Sequence, residues 1–244
     1  MRMYPVSSRQ IKSMQRASQK LHDCYLVASL GALSNSAKGR KIILNNISHS
    51  LDAYNVHFPS INGKSEDYLV DKNSIVDLFQ KTENEEISSI HNVNSPLTRA
   101  VELAVNALIK KHPFKKPPIY RLFPSKHNCE YNKPSRFLKM FTGKKPITLN
   151  EGGVSMSLFS KYSKAKKLLE QIGQDPNAVF VAGTGMNSWG NLPTWHCYVI
   201  KRVDTKNNKL LLFDHKEQAE IVLPIQNAIH QLKFITGFFS KDLT

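Results

Sequence analysis

Three residues, far apart in the sequence, have the types and local settings that nucleophilic chemistry requires. Cys24 directly follows Asp23, a good helix-capping residue, and opens an apolar run in which Leu26, Val27, Leu30 and Leu33 recur at helical spacing. At a helix start the unpaired backbone N–H groups and the helix dipole stabilise a thiolate, the reactive form of cysteine. Such a nucleophile needs a base and a group that orients the base. Of nine histidines, His196 is the one in a strand pattern, Trp195-His196-Cys197-Tyr198-Val199-Ile200. Strand alternation aims Cys197 at the face opposite His196. The polar run Asp204 to Asn208 predicts a hairpin, and its second strand, Leu210 to Phe213, carries Asp214 back toward His196. The same register sets Glu217 nearly opposite His196, so Glu217 is a rival orienter. The chemistry implied is attack of a Cys24 thiolate on an acyl carbon, with His196 moving the protons.

The elements that must position these groups follow from periodicity. A helix is expected over Asp23 to Ala37, closed by Ser34, Asn35, Ser36 and Gly39, and a weaker one over Ser65 to Gln80. The clearest helix follows Ser95-Pro96, a capping residue and an N1 proline, with Leu97, Ala100, Val101, Ala104, Val105 and Leu108 on one face. Further helices are expected around Ser135 to Phe141, ending at Gly143, and from Ser157 to Ile172, closed by Gly173 and Asp175-Pro176. The period then changes to two, and strands are expected at Val179 to Ala182, Trp195 to Val203, Leu210 to Phe213 and Ile221 to Leu223. The fold class is therefore α+β. Residues 1–145 form a helical lobe and residues 146–244 a linker helix and a β-rich lobe, with a cleft between them.

Composition narrows the function classes. The chain has 244 residues, 41% of them hydrophobic, which is enough to fill a core and excludes disorder as the main state. No apolar run is long enough to span a membrane, and the basic N-terminus lacks the apolar stretch of a secretory signal peptide. Three cysteines build no disulfide framework, which favours a reducing compartment. The net charge is +15, and the window from Lys110 to Lys145 holds eleven Lys/Arg against the single acid Glu130. Prolines 113, 117, 118, 124 and 134 break this window into loops, a basic surface insertion in which Lys110, Lys111, Lys115 and Lys116 are the leading residues for an acidic protein or anionic surface. Tyr120, Phe123, Tyr131, Phe137 and Phe141 anchor it to the helical lobe. No nucleic-acid-binding motif accompanies the aromatic and basic residues, so nucleic acid is not the expected partner. No Cys/His array fits zinc, no acidic loop fits calcium, and no cofactor is expected.

Several segments carry a family resemblance. Gln19-Lys20-Leu21-His22-Asp23-Cys24-Tyr25-Leu26-Val27-Ala28-Ser29-Leu30 resembles the nucleophile segment of calpain-type, papain-fold cysteine proteases. Pro134 to Gly143 is similar to that family's segment ending in Leu-Thr-Gly, Val181-Ala182-Gly183-Thr184 to the strand before its histidine loop, and His196-Cys197-Tyr198-Val199 to its His-Ala-Tyr strand. The resemblance spans residues 15–239. It implies a papain-like fold, with the nucleophile helix in the first lobe and an antiparallel sheet in the second, and a peptidase working through Cys24, His196 and Asp214. It also implies an oxyanion donor: Gln19, which stands five rather than six residues before the cysteine, with the Cys24 backbone N–H as the other candidate. His22 replaces a family glycine, and Asp214-His215-Lys216 stands where the family has Asn-Pro-Trp. The same thioester chemistry serves deamidases, transglutaminases and deubiquitinases. A degenerate protease fold acting as a non-enzymatic basic binding protein is the alternative from another class. A small protease core with a basic insertion is also similar to bacterial effectors, which implies a cytoplasmic protein or one delivered into a host cell without a signal peptide.

Overall fold

A computed structural model describes residues 2–15, 17, 24–61, 63–76, 95–112, 133–150, 159–185 and 190–243, apart from the side chains of residues 159 and 160. Asp23, Gln19, Lys115, Lys116, Cys129, Tyr120, Phe123 and Tyr131 lie outside the described residues. In chain order the elements are β1 (Tyr4–Pro5), α1 (Ser8–Met14), α2 (Cys24–Asn35), α3 (Ala37–Asn46), β2 (Ile47–His49), β3 (Ala53–Ile61), β4 (Lys64–Asp71), α4 (Pro96–Lys111), α5 (Pro134–Thr142) and β5 (Ile147–Leu149). They continue with α6 (Phe159–Gln174), β6 (Val179–Thr184), β7 (Cys197–Asp204), β8 (Lys209–Asp214), β9 (Ala219–Pro224), α7 (Ile225–Gln231) and β10 (Leu232–Phe238). The class is α+β.

Helix α2 organises the packing. Every residue from Cys24 to Ser34 is buried, so the helix has no solvent face and must be surrounded. Its two buried serines are satisfied within the helix: Ser29 donates to the Tyr25 carbonyl at 2.6 Å and Ser34 to the Gly31 carbonyl at 2.9 Å. One core joins α2 to α4, α5 and β3, and to the face of the second sheet that bears Val181, Cys197 and Val199. The other face of that sheet, with Tyr198, Ile200 and Leu212, packs on Leu169 of α6 and Ile229 of α7. The second sheet is antiparallel with strand order β5-β10-β6-β7-β8-β9.

The first half of the chain is less helical than its sequence suggests. It contains a four-stranded antiparallel sheet, β1-β2-β3-β4, and residues 64–71 form a strand in the first half of the span where a helix over Ser65 to Gln80 is expected. Residues 72–76 are helical as expected, and residues 77–80 lie outside the described residues. Tyr68 and Val70 point inward while Leu69 is exposed, a period of two. The overlooked signal is the dipeptide Asn62-Gly63, a favoured hairpin turn; Gly63 adopts a φ of +84°, which a side chain would resist. Helix α2 stops at Asn35 because Ser36 begins a new helix, capping the Gly39 N–H at 2.8 Å. Helix α6 runs through Gly173 to Gln174.

The turn after β8 reaches under α2. His215 is fully buried there and donates from Nδ1 to the Ala17 carbonyl at 2.7 Å. Its ring lies so close to Gly31 that a Cβ at that position would overlap it. Gly31→Ala should therefore lower stability by about 1–3 kcal/mol, seen as a lower denaturant midpoint at constant slope. In a His215→Ala background the cost should shrink, since the next atom a Cβ would meet is Val199 Cγ2 at 3.1 Å and alanine otherwise outperforms glycine in a helix. An equal cost in both backgrounds would mean that His215 is not what occupies the space.

Candidate active site

Cys24 is the first residue of α2, and the packing of that helix on β6 and β7 brings its sulfur to the start of β7. The thiol donates to the Trp195 carbonyl at 3.8 Å, and the His196 and Cys197 side chains lie near enough to act on its ionisation. The Cys197 thiol beside it is the leading cause that holds the Cys24 pKa well below the ordinary thiol value. Burial opposes this, while the hydrogen bond and positive charge of His196 and the Cys197 backbone reinforce it. Cys197 thus lies against Cys24 rather than aiming away from the nucleophile, as simple alternation from His196 suggests. His196 precedes the regular strand, so both neighbours reach the sulfur.

His196 is buried and fixed at every polar atom but one. Its backbone N–H donates to Thr184 Oγ1 at 3.0 Å, and its carbonyl accepts from the Thr184 N–H at 2.9 Å. Thr184 Oγ1 in turn donates to the Pro193 carbonyl at 2.6 Å, a positioning role that sequence reasoning did not assign. Nε2 lies 2.8 Å from Asp214 Oδ1, which leaves Nδ1 as the nitrogen for the Cys24 sulfur. The Tyr198 ring closes one side of the imidazole in an edge contact at 4.8 Å. Trp195, just before, has a φ of +54°, a left-handed conformation that costs about 1–3 kcal/mol in a non-glycine residue. Burial alone would lower the His196 pKa, but hydrogen bonds to Asp214 and Cys24 and their negative charges raise it to about 9.

Asp214 reaches the imidazole through an irregularity in the hairpin. The register runs Asp204↔Lys209, Val203↔Leu210 and Arg202↔Leu211, then skips a residue to Ile200↔Leu212 and Val199↔Phe213. Without this bulge at Lys201, Asp214 would oppose Val199 on the α2 face. With it, Asp214 falls on the face of Tyr198 and His196. Its Oδ1 also accepts the backbone N–H groups of Lys216 at 2.8 Å and Glu217 at 3.3 Å. Burial works against ionisation, but the bond to His196, its charge and these two N–H groups outweigh it and lower the Asp214 pKa. Glu217 contributes only that N–H; its carboxylate is exposed, 3.8 Å from Lys216 Nζ. The next residue, His215, faces the core instead, and burial pushes its pKa down to about 4.

The described part of the basic window is divided. Lys110 is exposed at the end of α4, whereas Lys111 is engaged by Glu66 at 2.7 Å and is not a free cation. Farther on, Arg136, Lys139 and Lys145 line a cleft of about 630 Å³ with Ser60, Gly63 and Thr148. Phe137 and Phe141 are fully buried, stacked at 5.3 Å, and anchor α5 to β3 through Phe58. Among the described residues no group of three His, Cys, Asp or Glu side chains could hold a metal ion, and no helix is long and apolar enough to cross a membrane. Neither a family model nor a curated protein matches the chain.

The arrangement sets an expected pH dependence. Lowering the Cys24 pKa and raising that of His196 makes thiolate and imidazolium coexist from below the ordinary thiol range up to about 9. Alkylation of Cys24 by iodoacetamide should therefore stay fast at about pH 6, where a free thiol of pKa ~8.5 is almost wholly protonated. In the His196→Ala variant the rate should fall by up to about tenfold for each pH unit below that range. Identical profiles for both proteins would show that His196 does not ionise Cys24.

Proposed function

We propose that the chain is a cysteine-dependent hydrolase, a peptidase with a papain-like, calpain-type core. One observation carries the reading: the Cys24 thiol meets a buried imidazole whose far nitrogen is held by the Asp214 carboxylate at 2.8 Å. Each part then has a step to perform. The Cys24 thiolate attacks the acyl carbon, and the developing oxyanion is met by the orphan N–H groups at the start of α2, the Cys24 N–H among them. The His196 imidazolium gives its proton to the leaving amine. The neutral imidazole then takes a proton from water, which resolves the thioester and restores the thiolate–imidazolium pair. Asp214 keeps the ring oriented with Nδ1 toward sulfur.

Peptide hydrolysis is the reading that the family resemblance favours over glutamine deamidation, transglutamination or removal of a ubiquitin-like modifier, all of which share the thioester. The substrate or a docking partner is acidic, because the cleft bearing Arg136, Lys139 and Lys145 presents three cations from the end of the basic window.

A panel of fluorogenic peptides should be turned over by the full chain and not by Cys24→Ala. Asp214→Asn should reduce kcat/KM by at least about tenfold, whereas Glu217→Gln should leave it within about twofold. Turnover that survives Cys24→Ala would overturn the assignment.

Capture of an acidic polypeptide such as polyglutamate should weaken as salt rises from 0.1 to 1 M, which shortens the Debye length from about 10 to about 3 Å. Lys139→Glu combined with Lys145→Glu should weaken capture without changing hydrolysis of a small neutral peptide. Equal losses on both would place the cleft within the peptide-binding site instead.

A further inference from the structure

The mechanism above makes no use of the second thiol at the site. Cys197 is the first residue of β7, opposite Gly183 of β6, and its side chain lies in the core that contains α2. Both Cys24 and Cys197 are free thiols, 8% and 7% exposed, and both belong to the core that joins the start of α2 to β7, where the Cys24 sulfur lies 3.8 Å from the carbonyl oxygen of Trp195, two residues before Cys197. A core cysteine ordinarily serves as a small apolar filler, and its environment keeps it inert. Here the neighbour is a sulfur whose surroundings favour the thiolate, and both thiols keep a small exposed surface that a peroxide can reach.

We propose that Cys24 and Cys197 form a peroxide-closed disulfide, so that Cys197 is a resolving cysteine and the pair is a reversible modification site. The Cys24 thiolate attacks the terminal oxygen of a hydroperoxide; an S–O bond forms, the O–O bond breaks, and the alkoxide or hydroxide leaves with the proton of the His196 imidazolium. Cys24 is oxidised by two electrons to a sulfenic acid and the peroxide is reduced to an alcohol or water. The Cys197 sulfur then attacks the Cys24 sulfur. An S–S bond forms, the S–O bond breaks, and the hydroxide departs as water with the Cys197 proton. A dithiol reductant reverses the step by thiol–disulfide exchange. The disulfide silences the nucleophile and spares it from a second peroxide, which would carry it to the irreversible sulfinic acid. The effect on turnover rests on the proposed function; the disulfide itself does not.

The test uses the full chain with Cys129→Ser, so that only the two thiols remain. After one equivalent of hydrogen peroxide, blocking with N-ethylmaleimide and peptide mapping should show loss of two hydrogens and a peptide linking Cys24 to Cys197. Dithiothreitol should then restore iodoacetamide labelling of Cys24. With Cys197→Ala, and separately with Cys197→Ser in case one variant folds poorly, Cys24 should instead gain one or two oxygens. The fraction of Cys24 recovered by dithiothreitol after excess peroxide should fall by about tenfold. Equal recovery with and without Cys197, or a disulfide only between two molecules, would overturn the proposal. Because these readouts need no substrate, a disulfide without Cys24-dependent turnover would refute the hydrolase reading alone, and turnover without a disulfide would refute this inference alone.

Discussion

A carboxylate with 1% exposed surface persists at Asp214 because three N–H donors converge on a single oxygen: His196 Nε2 and the backbones of Lys216 and Glu217. Removing the charged partner of such a buried ion costs about 3–5 kcal/mol, so the three donors are held together as a unit. Two consequences spread from that oxygen. The imidazole is pinned with its other nitrogen toward Cys24. The backbone after β8 is drawn into a tight turn that sends His215 and Gln218 to the Ala17 carbonyl, at 2.7 and 3.2 Å, tying the chain that precedes α2 to the second sheet. One buried anion therefore fixes both the imidazole and the chain that leads into α2.

The same anion is adjacent to two histidines that titrate in opposite directions. His196 receives the carboxylate and the thiolate and is raised to about 9, while His215 has only a carbonyl partner in a dry setting and falls to about 4. Burial disfavours the cation at both, and the difference is the presence of negative charge within hydrogen-bonding reach. This separation gives the site one imidazolium that can donate a proton and one neutral ring that serves as packing against Gly31. It also supplies the physical condition for the proposed disulfide, since peroxide reacts with a thiolate and the proton for its leaving group is already in place.

Much of the site was legible in the sequence. Cys24 at a helix start, His196 beside a strand, and Asp214 at the end of the next strand across a short polar turn are local patterns, and the helices at Pro96–Lys111 and Pro134–Thr142 follow from their own prolines and apolar stripes. These features depend on residues within a turn or two of one another, and local sequence determines them for that reason. The hairpin of β3 and β4 was also locally encoded, in Asn62-Gly63, but the apolar residues around Leu69 fit a helical period well enough to mask it.

What the tertiary structure alone decided are matters of register and contact between distant segments. A single extra residue at Lys201 turns Asp214 to the imidazole face, and nothing in the run Val199 to Val203 announces a bulge. Strand alternation describes Cys197 correctly relative to its own strand, yet it cannot know that the start of α2 rests on that face, 173 residues back in the chain. Lys111 is neutralised by Glu66, which local sequence would leave as an unrelated surface acid. In each case the deciding energy comes from packing or pairing between elements whose relative placement the whole fold sets, so no window of the sequence contains it.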